Sequence, residues 1–217
     1  LVRSRGLGDV YKRQAERVAH KALVQVGGRP MLERVIAAVR DAGISRILVS
    51  ADEPAVVALA ASCGAEVIAP EAGPSASVGA GFARLGAPML VTTADHALLR
   101  GEWIQNFVAA MPMDADVAIM LARRDTVERA VPGTRRTWLR FADGQWSGCN
   151  LFLLARPAAD RAIAAWQQVE ADRKRPWRLV ARLGLRTIVD YALGRLTISA
   201  AILRLGQRLG FVGRMVA

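Results

Sequence analysis

The sequence is poor in the residues that build metal clusters and disulfide frameworks. Its 217 residues include only two cysteines, Cys63 and Cys149, which lie far apart with no C-x-x-C spacing. This pattern argues against a zinc site or a disulfide framework and is typical of a reducing cytoplasm. The two histidines, His20 and His96, have no metal-ligand spacing. Motifs of serine hydrolases, zinc hydrolases and Walker-type NTPases are also missing, so the sequence gives no support to nucleophilic or zinc chemistry.

Long hydrophobic runs and aromatic residues are scarce as well. The nearest candidate for a membrane span, LGLRTIVDYALGRLTISAAIL, is interrupted by Arg186, Asp190 and Arg195, which excludes a transmembrane interpretation. Aromatic residues make up 6% of the chain and hydrophobic residues 53%, a composition typical of an Ala/Val/Leu-rich enzyme domain. No repeat or low-complexity linker interrupts the chain. We therefore expect one domain over residues 15–217, long enough to form a substantial core.

Acidic residues are few in the second half of the chain. Residues 121–217 hold eighteen Lys/Arg and seven acids, a net charge of +11, whereas residues 15–120 carry −3 and residues 1–14 carry +3. Such asymmetry indicates nucleic acid, an anionic membrane or a phosphate-rich small ligand as partner, or simply a solvated arginine-rich surface. Nucleic acid is not the favoured partner, because no nucleic-acid-binding motif is present and few aromatics are interleaved with the arginines.

Apolar runs alternate with helical patterns from Lys21 onward. The first predicted helix has Pro30 in its first turn and ends at Gly43, and Ser75 is expected to cap the third helix. The predicted helices are GGRPMLERVIAAVRDAG, PAVVALAASCG, SASVGAGFARLG and GEWIQNFVAAM, and the predicted strands are ISRILVSA, AEVIAP, APMLVTTAD and ADVAIMLA. This alternation predicts a Rossmann-like, three-layer α/β/α fold with a mostly parallel sheet.

The pattern changes after the fourth strand. The stretch TWLRFADGQWSGCNLFLLA contains two strand-like runs joined by an ADG turn, which predicts an antiparallel pair. After Pro157 the chain is predicted to be helical to its end. At the other end, the helix at Pro30 has no clear strand before it, so we expect the sheet to lack its first strand.

Five polar residues occupy positions where chemistry is expected in such a fold. Asp95 follows an apolar strand, where a carboxylate faces the usual ligand crevice; the alternative is a cap for the next turn. Lys21 precedes the first helix. It is either a functional residue or simply a solvated loop lysine. Ser75 and Ser77 open a helix and serve either a ligand or a plain N-cap. Asn150 is predicted to start a strand after Gly148, and asparagine at such a position often serves a turn.

The order of these segments resembles that of the MobA-like nucleotidyltransferases, a family that includes the molybdenum-cofactor guanylyltransferases. The resemblance is carried by KALVQVGGRPMLERV, GPSASV, TTADHALL and SGCNLF, and it covers roughly residues 19–154. It implies a GT-A-like nucleotidyltransferase fold. It also implies Mg²⁺-dependent transfer of a nucleotidyl group from an NTP to a phosphorylated small-molecule acceptor, with release of pyrophosphate.

The resemblance also implies roles for individual residues. Asp95 would hold Mg²⁺ against the α-phosphate, and Lys21 would neutralise charge on the triphosphate. Ser75 and Ser77 would line the base pocket, and Asn150 would help to place the acceptor.

The nature of the acceptor stays open. Arg135 and Arg136, in the basic half, are our own candidates for gripping an anionic acceptor, because a guanidinium fork matches phosphate geometry. A pterin, a sugar or polyol phosphate and a cobinamide-type phosphate are not ranked by the sequence. A non-catalytic homologue that binds polyanions is the alternative from another class.

Two family elements are missing from this sequence. Members carry a strand and a Leu-Ala-Gly-Gly-type loop just ahead of the position of Lys21, and an acidic Asp-Val-Asp-type segment after the last strand that supplies a second metal ligand. We therefore expect the chain to be truncated at both ends and to be inactive or nearly so as written.

The first 14 residues have a separate explanation. DVYKRQ is the translation of GAT GTG TAT AAG AGA CAG, the end of a common transposase-based sequencing adapter, and SRGLG continues upstream in the same frame. Residues 4–14 thus resemble translated adapter, and we expect residues 1–14 to be non-native. Neither a targeting arm nor a G-x-G phosphate loop is favoured, because the stretch has no apolar segment and no preceding strand. Any helix or strand it forms is not expected to be a functional element.

Overall fold

The computed structural model describes residues 2–3, 20–172 and 184–217, and residues 4–14, which resemble translated adapter, lie outside them. The chain divides into two compact units. The first comprises Leu1–Gly86 and Leu90–Ala109, and the second comprises Ala87–Met89 and Ala110–Ala217. Among the described residues, no helix has the length and apolar character that crossing a membrane requires.

The described residues form a mixed α/β structure, as the sequence predicts. The strands are β1 (Val2–Arg3), β2 (Gln25–Val26), β3 (Arg29–Pro30), β4 (Leu48–Ser50), β5 (Glu66–Ile68), β6 (Met89–Thr93), β7 (Val117–Arg123), β8 (Leu139–Phe141), β9 (Gly144–Leu154) and β10 (Gly213–Val216). The helices are α1 (Met31–Asp41), α2 (Pro54–Ser62), α3 (Pro74–Leu85), α4 (Gly101–Ala109), α5 (Arg124–Ala130), α6 (Ala159–Ala171), α7 (Leu185–Ala192) and α8 (Ile198–Leu209).

The first unit contains a parallel arrangement of strands joined by helices. β4 pairs in parallel with β5, and β1 pairs in parallel with both β4 and β6. Helix α2 connects β4 to β5, and α3 connects β5 to β6. The core is apolar and includes the fully buried residues Leu32, Val35, Ile36, Leu48, Val49, Val56, Ile104 and Phe107. The predicted mostly parallel α/β fold is thereby confirmed.

The position between β4 and β6 is occupied by β1. Val2 lies opposite Val49 and Thr92, and Arg3 lies opposite Ser50 and Thr93. Strands β4 and β6 carry backbone N–H and C=O groups that need partners, and this two-residue segment supplies them. Because β1 belongs to residues 1–14, which the sequence predicts to be non-native, the expectation that the sheet lacks its own first strand stays a prediction.

The start of the first helix also differs from the prediction. Gly27 and Gly28 have φ values of 59° and 76°, so they form the two-residue turn of a hairpin, β2–β3, instead of a helical turn. Paired positive φ angles are what such a turn requires, and glycine adopts them without steric cost. Helix α1 therefore begins at Met31, with Pro30 at its N-cap position.

The second unit mixes parallel and antiparallel pairing. β9 pairs antiparallel with β7 and with β8, which confirms the predicted antiparallel excursion around the ADG turn. The prediction of helix to the end of the chain is wrong for the last residues, because β10 follows α8 and pairs in parallel with β7. Four residues are too few for periodicity to separate a strand from a helix.

Candidate active site

Lys21 and Asp95 are carried by short segments beside the parallel strands of the first unit. Lys21 begins a 3-10 turn, Lys21–Leu23, whose N-terminal cap is the His20 side chain: its Nδ1 accepts a hydrogen bond from the Ala22 N–H at 3.1 Å. Asp95 lies in the turn that follows β6, two residues beyond Thr93. Strand ends of this kind are the usual ligand sites of open parallel sheets.

The structure brings these two residues into direct contact. The Lys21 ammonium donates a hydrogen bond to Asp95 Oδ2, although 74 residues separate them in sequence. The Lys21 side chain is 23% exposed and that of Asp95 is 33% exposed. The ion pair is therefore partly shielded but still accessible to solvent.

The environment keeps Asp95 ionised. Partial burial acts to raise the pKa of the Asp95 carboxyl, but hydrogen bonding and charge attraction from the Lys21 ammonium outweigh it, and the net shift is downward. A carboxylate held in its charged form by a neighbouring cation suits binding to a second cation or to a triphosphate's metal.

Polar groups without partners lie on the neighbouring strand ends. Within the part of the chain that the structure describes, the hydroxyls of Ser50 and Thr92 are buried and lack a hydrogen-bond partner. Both residues are 2% exposed. Buried hydroxyls left unpaired cost free energy, so this end of the sheet holds unused hydrogen-bonding capacity.

The donor set fits a metal that arrives with phosphates. Among the residues described, no group of three or more His, Cys, Asp or Glu side chains is positioned to hold a metal ion. Mg²⁺ is commonly bound through one or two carboxylates, with water and substrate phosphates completing its octahedron. Asp95 is a carboxylate of the kind that such a complex uses, whereas the described residues provide no dedicated protein cage.

Ser75 and Ser77 differ from their expected placement. Helix α3 begins at Pro74 with Gly73 at its N-cap position, so Ser75 is inside the helix and the predicted serine cap is wrong. Ser75 is 1% exposed and Ser77 is fully buried. The Ser77 Oγ accepts a hydrogen bond from the Glu71 N–H at 3.0 Å, which fixes the loop that leads into the helix.

Asn150 lies within β9, so the prediction that it starts a strand is wrong. Three residues of β9, Cys149 to Leu151, lie opposite the single residue Met120 of β7, because the pairing shifts register there. Asn150 has φ 52° and is exposed. Asparagine tolerates this left-handed conformation better than most residues, and bulges of this kind often re-aim side chains beside functional sites.

Arg135 and Arg136 lie in the exposed loop between α5 and β8. Arg136 Nη2 donates to the carbonyl oxygen of Gly148 at 3.3 Å, which places its guanidinium beside the bulge. Burial raises the pKa of the neighbouring Cys149 thiol, and the Arg136 charge opposes that shift only in part. Cys149 is thus a neutral thiol, and the second unit offers an arginine beside Asn150 and a second arginine next to it in sequence.

The structure thus assembles the predicted residues in two groups. Lys21 and Asp95 form an ion pair in the first unit, where Ser75 and Ser77 are buried in α3. Asn150 and Arg136 flank one bulge in the second unit. Sequence reasoning missed Arg34 of α1, which contacts the segments that follow both Lys21 and Asp95; an arginine on the polar side of an amphipathic helix gives no signal of such a contact.

Comparisons with known proteins agree with this fold. A solved structure described as a hypothetical transferase from Thermus thermophilus is 27% identical, with a TM-score of 0.84 over 100% of this chain and 90% of that chain. A CMP:2-keto-3-deoxy-manno-octonic acid synthetase complexed with CTP is 15% identical, with a TM-score of 0.54 over 92% of this chain and 83% of that one; it shares the fold. No curated protein sequence matches the chain. The model of the MobA-like NTP transferase domain matches residues 12–188, and the chain belongs to this family of nucleotidyltransferases.

Proposed function

We propose that this protein transfers a nucleoside monophosphate from an NTP to a phosphorylated small-molecule acceptor and releases pyrophosphate. The observation that carries the proposal is the Lys21–Asp95 ion pair beside the strand end of β6, in a chain that belongs to a family of nucleotidyltransferases. The pair offers one cation and one carboxylate, the two charges that a metal–triphosphate complex needs.

Each residue of the pair has a defined task in this reaction. The Lys21 ammonium binds triphosphate oxygens and offsets their charge, while Asp95 holds the metal. Mg²⁺ bound there would neutralise charge on the phosphates as the α-phosphorus is attacked. Because the lysine is paired with Asp95 in the free protein, triphosphate binding exchanges one anionic partner of Lys21 for another.

The chemical step requires little covalent participation by the protein. An acceptor oxygen attacks the α-phosphorus, the bond from that phosphorus to the bridging oxygen breaks, and pyrophosphate leaves with the bonding electrons. Rate then depends on alignment and on charge neutralisation. In this proposal Ser75 and Ser77 line the pocket of the nucleotide base. Ser77 shapes the loop before α3, because its Oγ accepts a hydrogen bond from the Glu71 N–H.

The acceptor site in the proposal is the bulge of β9 with its arginines. Asn150 is exposed in the left-handed conformation, and Arg136 lies beside it at Gly148. Arg135 pairs with no acid in the part of the chain that the structure describes, so its guanidinium is available to an anion. Bidentate binding of a phosphate by arginine is strong and directional, which supports a phosphorylated acceptor.

Both cysteines are free thiols, which supports a reducing, cytoplasmic setting.

The test is a panel of ATP, CTP, GTP and UTP against phosphorylated acceptors of three classes: pterins, sugar or polyol phosphates, and cobinamide-type phosphates. Pyrophosphate release is measured with and without Mg²⁺. It is measured on the 217-residue chain and on a version in which residues 1–14 are replaced by the residues that the source gene encodes before Ala15. We expect Mg²⁺-dependent release for one NTP with one acceptor class from the second version, and little or none from the 217-residue chain. Binding of mixed oligonucleotides that weakens steeply with salt, without turnover, would instead support a polyanion-binding homologue.

Replacing the two loop arginines is expected to affect the acceptor and spare the NTP. Arg135→Met and Arg136→Met each remove a charge-assisted contact, so the KM for the acceptor should rise about tenfold, since such a contact contributes about 1.5–3 kcal/mol. The KM for the NTP should stay within about twofold. Arg129→Met in α5 is the matched control, because Arg129 is an exposed arginine bonded to the Asp125 carbonyl. Equal effects of all three substitutions would show a general charge effect and no acceptor site.

A further inference from the structure

We infer that Arg34 is a positioning residue that holds Lys21 and Asp95 opposite each other. This inference rests on the proposed function, since it names the residue that fixes the geometry of that site. Arg34 lies in α1, and its guanidinium bonds to the backbone of the two chain segments that carry the ion pair.

The first contact is to the segment that follows Asp95. Arg34 Nε donates to the carbonyl oxygen of Ala97 at 2.9 Å. Ala97 is two residues beyond Asp95 and is itself buried. The turn that contains Asp95 is closed by the His96 N–H, which donates to the Thr93 carbonyl at 3.2 Å. Fixing the Ala97 carbonyl therefore limits how far the Asp95 backbone can move.

The second contact is to the segment that follows Lys21. Arg34 Nη1 donates to the carbonyl oxygen of Val26 at 3.3 Å, just before the Gly27–Gly28 turn. The Val24 N–H donates to the Lys21 carbonyl at 3.1 Å, and the Val24 carbonyl accepts from the Met31 N–H at 2.9 Å. A short series of backbone bonds thus connects Lys21 to the start of α1, the helix that carries Arg34.

Apolar packing makes this connection rigid. Val24, Met31 and Ala97 form one buried cluster, against which Val26 packs. The cluster brings together the segment after Lys21, the first turn of α1 and the segment after Asp95. Arg34 adds directional bonds at two points of this junction, and a planar guanidinium fixes both carbonyls at once, which a lysine ammonium at this position does not do as well.

The same helix provides a matched control. Arg40 Nη2 also donates to two backbone carbonyls, those of Cys63 at 2.7 Å and Gly64 at 3.1 Å. These carbonyls lie at the end of α2, in a segment that carries neither Lys21 nor Asp95. Arg34→Met and Arg40→Met therefore remove the same kind of anchor from one helix, and only the first anchor serves the ion pair.

The first measurement is a zero-length cross-link in the full 217-residue chain, without nucleotide. A water-soluble carbodiimide activates the Asp95 carboxyl, the Lys21 amine displaces the activating group, and an amide forms while the carbodiimide leaves as its urea. The yield is read by mass spectrometry of the linked peptides, with Asp95→Asn as the blank. Arg34→Met should lower the yield at least about threefold, because the loss of two hydrogen bonds loosens the pair. Arg40→Met should leave the yield unchanged within error.

Arg34→Lys keeps the stem and the charge and should give an intermediate yield, and it serves the test if Arg34→Met does not fold. Thermal midpoints of all variants show whether Arg34→Met and Arg40→Met cost similar stability. An unchanged yield in both Arg34 variants, or an equal fall in Arg34→Met and Arg40→Met, overturns the inference.

A second measurement separates this inference from the proposed function. Affinity for the Mg²⁺ complexes of ATP, CTP, GTP and UTP is measured on the same variants, and Arg34→Met should weaken the tightest of them about tenfold, equivalent to about 1.4 kcal/mol. If the cross-link yield falls while all four affinities stay at the wild-type value, Arg34 still positions the pair, and the use of the pair in triphosphate binding is overturned.

Discussion

Replacing Asp95 with asparagine is expected to lower pyrophosphate release by about 10²–10³-fold, the scale on which loss of one preorganised charge-stabilising group acts. Asparagine keeps the shape of the side chain but offers a neutral oxygen to the metal. The dependence of turnover on Mg²⁺ should move to higher concentrations in the variant. Turnover and Mg²⁺ titrations of the version with the gene's own N-terminal residues provide the measurement.

Glu66→Gln is the matched control for this substitution. Glu66 lies in the same unit and pairs with Arg46 and Arg84 at 3.0 Å each, so the change removes a carboxylate with cationic partners at a strand away from the pair. Its turnover should stay close to wild type. Turnover of Asp95→Asn within a few-fold of wild type would show that Asp95 does not hold the metal.

Replacing Lys21 with methionine is expected to weaken NTP binding by about 10–100-fold, because a charge-assisted hydrogen bond contributes about 1.5–3 kcal/mol. Methionine keeps most of the length of the stem without the charge. Titration of the Mg²⁺–NTP complexes by calorimetry measures the effect. An affinity unchanged within twofold would exclude Lys21 from the triphosphate site.

The same substitution should also change how stability depends on pH. In the wild type the lowered pKa of Asp95 contributes stability above its ordinary value of 3.8, and this contribution is lost as the pH falls through the lowered pKa. Without the Lys21 ammonium, less opposes the effect of burial, so the pKa of Asp95 should be higher than in the wild type and the ionised carboxylate should contribute less stability near neutral pH. We expect the variant to melt roughly 2–4 °C lower at pH 7, corresponding to about 1 kcal/mol for this exposure.

This difference should shrink as the pH falls through the lowered pKa of Asp95, below which the carboxyl is protonated in both proteins. Arg29→Met is the control, since it breaks an exposed ion pair with Glu33 in the same unit. Its effect should be small at every pH, because exposed pairs contribute little. A pH-independent difference for Lys21→Met would mean that the substitution acts through packing and not through Asp95.

Much of the fold could be predicted from the order of apolar runs and helix signals. The helices α2 and α4, the strands β4 to β6 and the β8–β9 hairpin fall within the predicted segments, because each has a clear period or a turn residue at its end. Strand β7 extends one residue beyond its predicted segment. The misses are short elements. The strands of the β2–β3 hairpin and β10 have between two and four residues each, and such lengths carry no periodicity.

The candidate site was predictable only in its parts. Asp95 was recognised by its place after an apolar strand and Lys21 by the resemblance of its segment to a family. Their contact spans 74 residues, and no local pattern encodes a contact at that separation. Arg34 gave no signal at all, because an arginine in an amphipathic helix is ordinarily solvated.

The sequence by itself determined the α/β class, the family and the positions of the charged residues, since these depend on local periodicity and on motif order. Tertiary structure alone decided which charges meet. It placed the Lys21 ammonium on Asp95, buried Ser75 and Ser77 inside the start of α3, and put Asn150 in a bulge beside Arg136. These outcomes depend on strand register and helix packing, where residues distant in sequence must share one space, and a shift of one residue in register would reverse which face of a strand each side chain occupies.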